Sequence, residues 1–526
     1  MVAIRTFVAA YEGTSAYRGA MLAPERAQAR AAALAGLIAG GVFFLVGWAV
    51  AALVHPPAAP HAALGSAVVD LTPTWLKDFA ISTFGTADRI ALAVCLAAVS
   101  ATLAAGIGLL AARRFALGAA AVGLLAAVCA LAGATRADST GWGVLPSLLG
   151  AVAGIGTLRL LLRRATPQTA GLGRRGFLTA VGGIAAGSAV MAGAGSFFSR
   201  ARSNTETVRA EVALPEPTDP AEPIPAGAQV EVAEMPAFVT PNQDFYRIDT
   251  AFVVPQVDPR SWQLRVHGLV EREVVLPFEE LLDSALVEAH VTLTCVSNTV
   301  GGGLVGNATW LGLPVRDVLA RAGVQSEADM VLSRSADGFT ASTPLEALTD
   351  ERQALLAVAM NGEPLPVEHG FPVRLVVPGL YGYVSATKWV TGLKVTRFAA
   401  DEAYWTTRGW DAQGPIKTAC RIDVPRSGAK PPAGSVTVAG TAWAQHRGIE
   451  RVQVQLDDGP WLDADLAATP GVDTWRQWSL TLSEVPAGRH AVRCRAWDPS
   501  GVQTSATAPP VPNGASGYHV ISLDVR

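Results

Sequence analysis

The chain changes character near residue 200. Ahead of it, runs of Ala, Leu, Gly and Val recur at 31–54, 89–112, 115–134, 143–162 and 177–198. Each is about 20 residues, the length a helix needs to cross a hydrocarbon layer of ~30 Å. The pattern predicts about five transmembrane helices: a cytoplasmic N-terminus at 1–30, four spans within 31–162 and a fifth within 171–198. Residues 199–236, with "ALPEPTDPAEPIPAG", predict a Pro-rich extended linker. Residues 237–400 mix alternating strands ("WQLRVHGLVEREVVL") with helix-like pieces ("PFEELLDSA", "PVRDVLARAGV"), the signature of an α+β domain. After a connector at 401–424, residues 425–526 carry short strands such as "GSVTVAGTAWA" and "GRHAVRCRAWD" between turn signals. That spacing predicts an immunoglobulin-like β-sandwich.

Charge orients the helices. Arg18, Arg26 and Arg30 precede the first span, Arg113 and Arg114 join the second to the third, and Arg159, Arg163, Arg164, Arg174 and Arg175 flank the fourth and fifth. The alternate loops hold only Lys77, Arg89 and Arg136. The positive-inside rule then places everything after residue 198 outside the cytoplasm, with Arg200 and Arg202 weighing weakly against. The segment "GLGRRGFLTAVGGIAAG", 171–187, is similar to a twin-arginine export signal, and ordinary positive flanking explains the same residues. Residues 1–200 carry 15 Lys/Arg against 6 Asp/Glu, and the remainder 26 against 38. A soluble part so acidic argues against nucleic-acid binding. Of five cysteines, 95 and 129 fall in predicted spans; 295, 420 and 494 allow at most one disulfide, so no disulfide scaffold organises the chain.

Candidate chemistry centres on "VTLTCVSNTVGGGLVGNATW", 291–310, where Cys295 ends an apolar run and three glycines follow. Cys295 can be a packed thiol, a nucleophile activated by a histidine such as His369, or a soft thiolate ligand to a transition metal. Composition does not choose among these.

The neighbouring segments do. "TCVSN", "GNATWLGLPVRDVLARAGV", "AMNGEPLPVEHGFPVRLVVPGLYGYVSATKWVTGLKV" and, upstream, "DFYRIDTAFVVP" resemble the sulfite oxidase family of molybdopterin enzymes, in family order, over about residues 226–526. The resemblance implies Cys295 as the protein ligand to molybdenum and Asn298 beside it. It implies Arg374 and Lys388 on the phosphate of Mo-molybdopterin, with Thr387, His369, Tyr246, Arg247 and Asp249 along the pterin. Asp337 is carried over with a different local spacing. The glycines at 301–303 then keep bulk off the cofactor.

The pattern also departs from sulfite oxidases. The arginine expected after Cys-x-x-Asn is replaced by Thr299 and Val300, the expected tyrosine aligns with Trp410, and a C-terminal arginine aligns with His519. Arg247 is the cation retained. Charge-assisted hydrogen bonds in a desolvated site are worth ~1.5–3 kcal/mol each, so a small dianion should bind poorly. The expectation is oxygen-atom transfer on a small molecule other than sulfite, such as a sulfoxide or another S- or N-oxide, with Cys295, Arg247, Trp410 and His519 as the catalytic set. None of the eight histidines lies in a predicted span and no cytochrome motif is present, so no haem is expected. Electrons would pass through a separate redox partner protein. The resemblance also allows a homodimer paired through the C-terminal sandwich. The competing class is a membrane-tethered surface protein that keeps the fold for binding alone; a Cys-His hydrolase lacks any further motif.

Overall fold

The computed structural model describes residues 2–73, 88–136, 141–165, 205–251 and 253–526 with a few isolated positions between, and side chains of the first helix from residue 28. Most of the predicted fifth span, and the pair Arg174–Arg175, lie outside the described residues. Two compact units divide the chain, residues 1–204 with 251–253 and the rest.

The first unit is helical: α1 (Val2–Val54), α2 (Pro60–Leu71), α3 (Asp88–Arg113), α4 (Phe115–Ala134) and α5 (Leu145–Ala165). Four stretches among the described residues are long and apolar enough to cross a membrane, Gln28–Val54, Ile90–Arg113, Phe115–Ala134 and Leu145–Arg164. They coincide with the first four predicted spans. α2 occupies a stretch expected to be loop, started by Pro60 at its first turn. Small residues face inward: a β-carbon on Gly36 would overlap the Ala104 carbonyl and the Gly108 backbone, so α1 and α3 meet backbone to backbone. Ala35, Ala39, Cys129 and Leu158 are buried, while Ile90, Leu124, Leu131 and Val152 face outward. Apolar side chains outside and small ones inside suit lipid as the surrounding medium.

The second unit opens with a correction. Its first described residues, 205–236, are not a free tether. A short helix, α6 (Thr205–Glu211), is held by Arg209, which donates through Nε to the Pro364 and Leu365 carbonyls and lies 3.1 Å from Glu363. Thr218 N–H donates to the Leu286 carbonyl at 2.8 Å, and Val230 N–H to Gln477 Oε1 at 2.8 Å. Proline removes donors and forbids a regular ladder, so the segment docks through scattered backbone groups and shows no apolar period in the sequence.

Strands then follow in order: β1 (Gln263–Gly268), β2 (Val274–Pro277), β3 (Val287–Thr294), β4 (Val305–Pro314), β5 (Met330–Ser335), β6 (Thr340–Pro344), β7 (Leu355–Met360), β8 (Glu363–Pro364), β9 (Arg374–Val376) and β10 (Val390–Thr396). One sheet runs β2-β1-β10-β5-β6, parallel only between β1 and β10; the other runs β3-β4-β7-β8 with β9 also on β7. A core containing Leu264, Val266, Leu313, Leu356, Val373 and Leu393 joins the sheets. A second cluster, with Phe245, Leu293, Trp310, Phe371 and Val376, backs β3. Val291 and Leu293 enter that cluster while Thr292 and Thr294 on the other face bond to Asn307, Trp475 and Gln445, so the last four residues of β3 are buried without alternation, which anchors the loop that follows them.

The C-terminal part is a two-sheet sandwich. β11 (Ala419–Val424), β12 (Gly434–Trp443), β16 (Arg476–Val485) and β15 (Asp465–Leu466) form one sheet. β14 (Trp461–Asp463), β13 (Arg451–Leu456), β17 (Gly488–Asp498) and β18 (Gly501–Val502) form the other, with β19 (His519–Val525) on β17. Ile422, Val438, Trp478, Val454, Val492 and Leu523 fill the space between. The sandwich starts at 419, inside the predicted connector. β11 was hidden because its charges, Arg421 and Asp423, sit in an apolar setting and neutralise one another at 2.7 Å.

Candidate active site

β3 delivers Cys295 to the start of a tight loop. Cys295 N–H donates to the Leu304 carbonyl at 3.0 Å and its own carbonyl accepts from Asn298 N–H at 3.1 Å. Asn298 Oδ1 accepts from Leu304 N–H at 2.9 Å, so the loop 296–303 is closed at its base by both backbone and side chain. Gly301 has φ +77°, and a β-carbon there would overlap the imidazole of His519. The glycine is required twice, by backbone conformation and by space. Burial pushes the Cys295 thiol up, while hydrogen bonds from Ser297 and the charge of Lys388 pull it back.

One flank of Cys295 is cationic and closed. Lys388 Nζ lies 3.0 Å from Asp249 Oδ2 and donates to the Glu368 carbonyl at 2.9 Å. Arg247 Nε reaches the same carboxylate oxygen at 3.3 Å. Arg374 is buried beside them, its guanidinium 5.1 Å from the Trp310 ring and donating to the His369 carbonyl at 3.1 Å. Its Nε and Nη2 contacts, to the Leu375 and Ala386 carbonyls, stretch to 3.4 and 3.5 Å. Desolvation lowers Arg374 to about 10 and Lys388 to about 8, and the two cations depress one another's neighbourhood: His369 falls to about 3, mainly by burial and then by Lys388 and Arg374. His369 Nε2 is within 3.2 Å of the Asn242 carbonyl, whereas its buried Nδ1 has no partner. Tyr246 stacks on Phe245 at 5.2 Å between centroids, and burial followed by the charge of Cys295 raises its phenol. Lys388 and Arg247 thus meet the Asp249 carboxylate and the buried Arg374 feels its charge, beside an imidazole nitrogen awaiting a hydrogen bond. Positive charge gathered away from water calls for an anion.

The other flank is neutral and open. A cavity beside the loop is lined by Thr294, Asn298, Gly301, Tyr381, Cys420 and Trp443, among others. His519 enters from β19, where its Nδ1 accepts the Ile422 N–H at 3.0 Å. That bond fixes the neutral tautomer with the proton on Nε2, the atom turned toward Gly301. Arg421 donates through Nη1 to the Gly302 carbonyl at 2.8 Å, and its Nε lies 2.7 Å from Asp423 without the alignment of a hydrogen bond. Asp423 is held in turn by Thr441 Oγ1 at 2.9 Å.

Most predicted site residues converge. Cys295, Tyr246, Arg247, Asp249, His369, Arg374 and Lys388 form one electrostatically connected group, with Asn298 in the loop and His519 of β19 against it. Thr387 is fully buried next to Lys388, its hydroxyl 2.7 Å from Ser333 Oγ. Asp337 caps its own turn by accepting Phe339 N–H at 3.1 Å, and Ala336 before it bonds to the Trp389 carbonyl. Trp410 does not join them: it stacks on Trp405 at 4.1 Å and meets Tyr383 edge-on, and no described hydrogen bond or ring contact ties it to the Cys295 loop. Its place as an aligned aromatic reflects packing within 404–410. The sequence reading missed Ser297, Tyr381 and Arg421. Tyr381, pushed up to about 12 by burial, senses the Cys295 charge and lies in the same "GLYGYVSATKW" block as Lys388.

Comparison with known proteins bears on this arrangement. Residues 251–405 match the model of the oxidoreductase molybdopterin binding domain. The chain is 33% identical to sulfite oxidase of Gallus gallus over 322 residues, covering 52% of this chain and 69% of that one. It is 32% identical to mitochondrial sulfite oxidase of Mus musculus over 326 residues, 52% of this chain and 58% of that protein, so it spans little more than half of the mouse protein's length. An uncharacterized oxidoreductase, YuiH of Bacillus subtilis, is 36% identical over 180 residues, 34% of this chain and 87% of that one.

Proposed function

Because this chain belongs to the sulfite oxidase family of molybdopterin-dependent oxidoreductases, we propose that it is a membrane-anchored member acting on a small substrate other than sulfite, such as a sulfoxide or another S- or N-oxide. The observation that carries the cofactor assignment is the closed flank of Cys295. Its uncompensated cations and the unpartnered His369 Nδ1 fit a buried anionic pterin. Cys295 would hold molybdenum, Arg374 and Lys388 the phosphate, and His369, Tyr246, Arg247, Asp249, Asn298, Thr387 and Asp337 the body of the group. When bound, Mo-molybdopterin supplies two-electron oxygen-atom transfer. The protein orients the substrate at the open flank and holds a proton at His519 Nε2.

The open flank favours a neutral substrate. Arg421, a cation the sequence reading did not count, is already engaged by Asp423 and the Gly302 carbonyl. A binding-only role is not favoured, since the matched relatives are named as oxidoreductases. The four apolar helices support a multi-pass anchor, and the arginine pattern supports an extracytoplasmic catalytic unit exported by the twin-arginine route. A separate redox protein would exchange electrons with it, without haem in this chain, and the immunoglobulin-like sandwich would pair two chains.

The test is the metal content of the full chain from cofactor-competent cells. One molybdenum per chain is expected, lost in Cys295→Ser with the fold retained. Absence of molybdenum from the wild-type chain overturns the cofactor assignment; sulfite turnover at micromolar KM overturns the substrate assignment.

A further inference from the structure

Two thiols face one another in the sandwich core, and the chemistry above uses neither. Cys420 is the second residue of β11, in one sheet, and Cys494 lies on β17, in the other. Both side chains enter the apolar cluster between the sheets, at 2% and 0% exposure. His519, the ladder neighbour of Cys494, accepts the Ile422 N–H of β11 at 3.0 Å, which brings the strands carrying the two thiols together, and in this structure both thiols are reduced. Each is also one step from the open flank of the site. Cys420 precedes Arg421 and lines the cavity beside the Cys295 loop. Cys494 is the direct ladder partner of His519.

We propose that Cys420 and Cys494 are an oxidisable pair whose disulfide staples the two sheets and fixes Arg421 and His519 against the Cys295 loop. The inference does not depend on the function proposed above. Formation is thiol–disulfide exchange with a disulfide-bearing oxidant, a protein oxidoreductase or oxidised glutathione. Cys420, on the strand that borders the cavity, loses its proton and attacks one sulfur of the incoming disulfide, releasing the first thiol. Cys494, deprotonated in turn, attacks the Cys420 sulfur of the mixed disulfide and releases the second. Two thiols of the chain are oxidised by two electrons and one incoming disulfide becomes two thiols. Burial raises the Cys420 thiol, which slows exchange once the core is packed and favours pairing during folding. The bond closes a long loop and so restricts the unfolded chain strongly.

The experiment uses the full chain purified from its membrane. One portion is taken directly and another after equilibration of the folded protein with oxidised glutathione; each is denatured, alkylated without reduction, digested and read by mass spectrometry. The expected result is a cross-linked pair of peptides carrying Cys420 and Cys494, with Cys95, Cys129 and Cys295 alkylated. Reduction should lower the melting temperature by roughly 5–10 °C, and the double variant Cys420→Ala, Cys494→Ala should lose that response. Alkylation of both thiols in both portions overturns the proposal. So does a melting temperature of the cross-linked chain that reduction leaves unchanged.

Discussion

The two flanks of Cys295 are built in opposite ways. The closed flank comes from one α+β domain, concentrates Arg374, Lys388 and Arg247 around Asp249, and leaves positive charge unanswered. The open flank is assembled from two domains, and its one new cation arrives with its own counter-charge, Asp423. A site that stores unpaired charge out of water is prepared for a permanent anionic occupant, because the occupant repays the desolvation. A site whose charge is already neutralised is prepared for something neutral that comes and goes. Under the proposed function, the closed flank would hold the cofactor and the open flank the substrate.

Substitutions can break or sharpen this contrast. Asp249→Asn leaves Lys388, Arg247 and Arg374 without their counter-charge and should cost about 3 kcal/mol in denaturant unfolding of the full chain; a loss under about 1 kcal/mol would show the closed flank to be solvated like the other. Gly301→Val adds a β-branched side chain at φ +77° where the His519 ring lies, and should destabilise by roughly 2–3 kcal/mol. His519→Ala in that background should restore the part due to overlap and leave the part due to backbone strain. Asp423→Asn frees Arg421, so a dianion such as sulfite should bind about 10-fold tighter, ~1.4 kcal/mol, in inhibition or turnover assays. No change would mean Arg421 does not face the substrate.

The smallest effect concerns pH. His369 stays neutral in the folded chain to about pH 3, below its ordinary value of 6.5. The unfolded chain therefore binds the extra proton first, and stability falls as pH drops below 6.5, with no contribution above it. Between pH 6.5 and 5.5 the loss from this group is about 1 kcal/mol. His369→Gln should remove that slope in parallel denaturation curves.

The sequence made the closed flank readable and the open one only partly so. Arg374, Thr387 and Lys388 lie in one continuous block with β9 and β10, so local order carried them together. Arg421 sits 126 residues beyond Cys295 (421 − 295) on a strand whose charges disguised it as connector. His519 was legible only as an alignment, since its ring reaches Gly301 through the pairing of β19 with β17. Trp410 shows the converse: an aligned aromatic whose neighbours in the chain, Trp405 and Tyr404, capture it. The long apolar helices were the easiest to read, because an unbroken apolar run of about 20 residues is visible in composition alone.

The belt at 205–236 sets an order of events during synthesis. Val230 is bonded to a partner 247 residues later, and the indole of Trp475 donates to the carbonyl of Phe238, 237 residues earlier. At about 5–20 residues per second, a ribosome that has released residue 238 needs roughly 10–50 s to make Trp475. Until then the segment waits without its later partners, and the nascent unit is exposed to chaperones and proteases with its first seam still open.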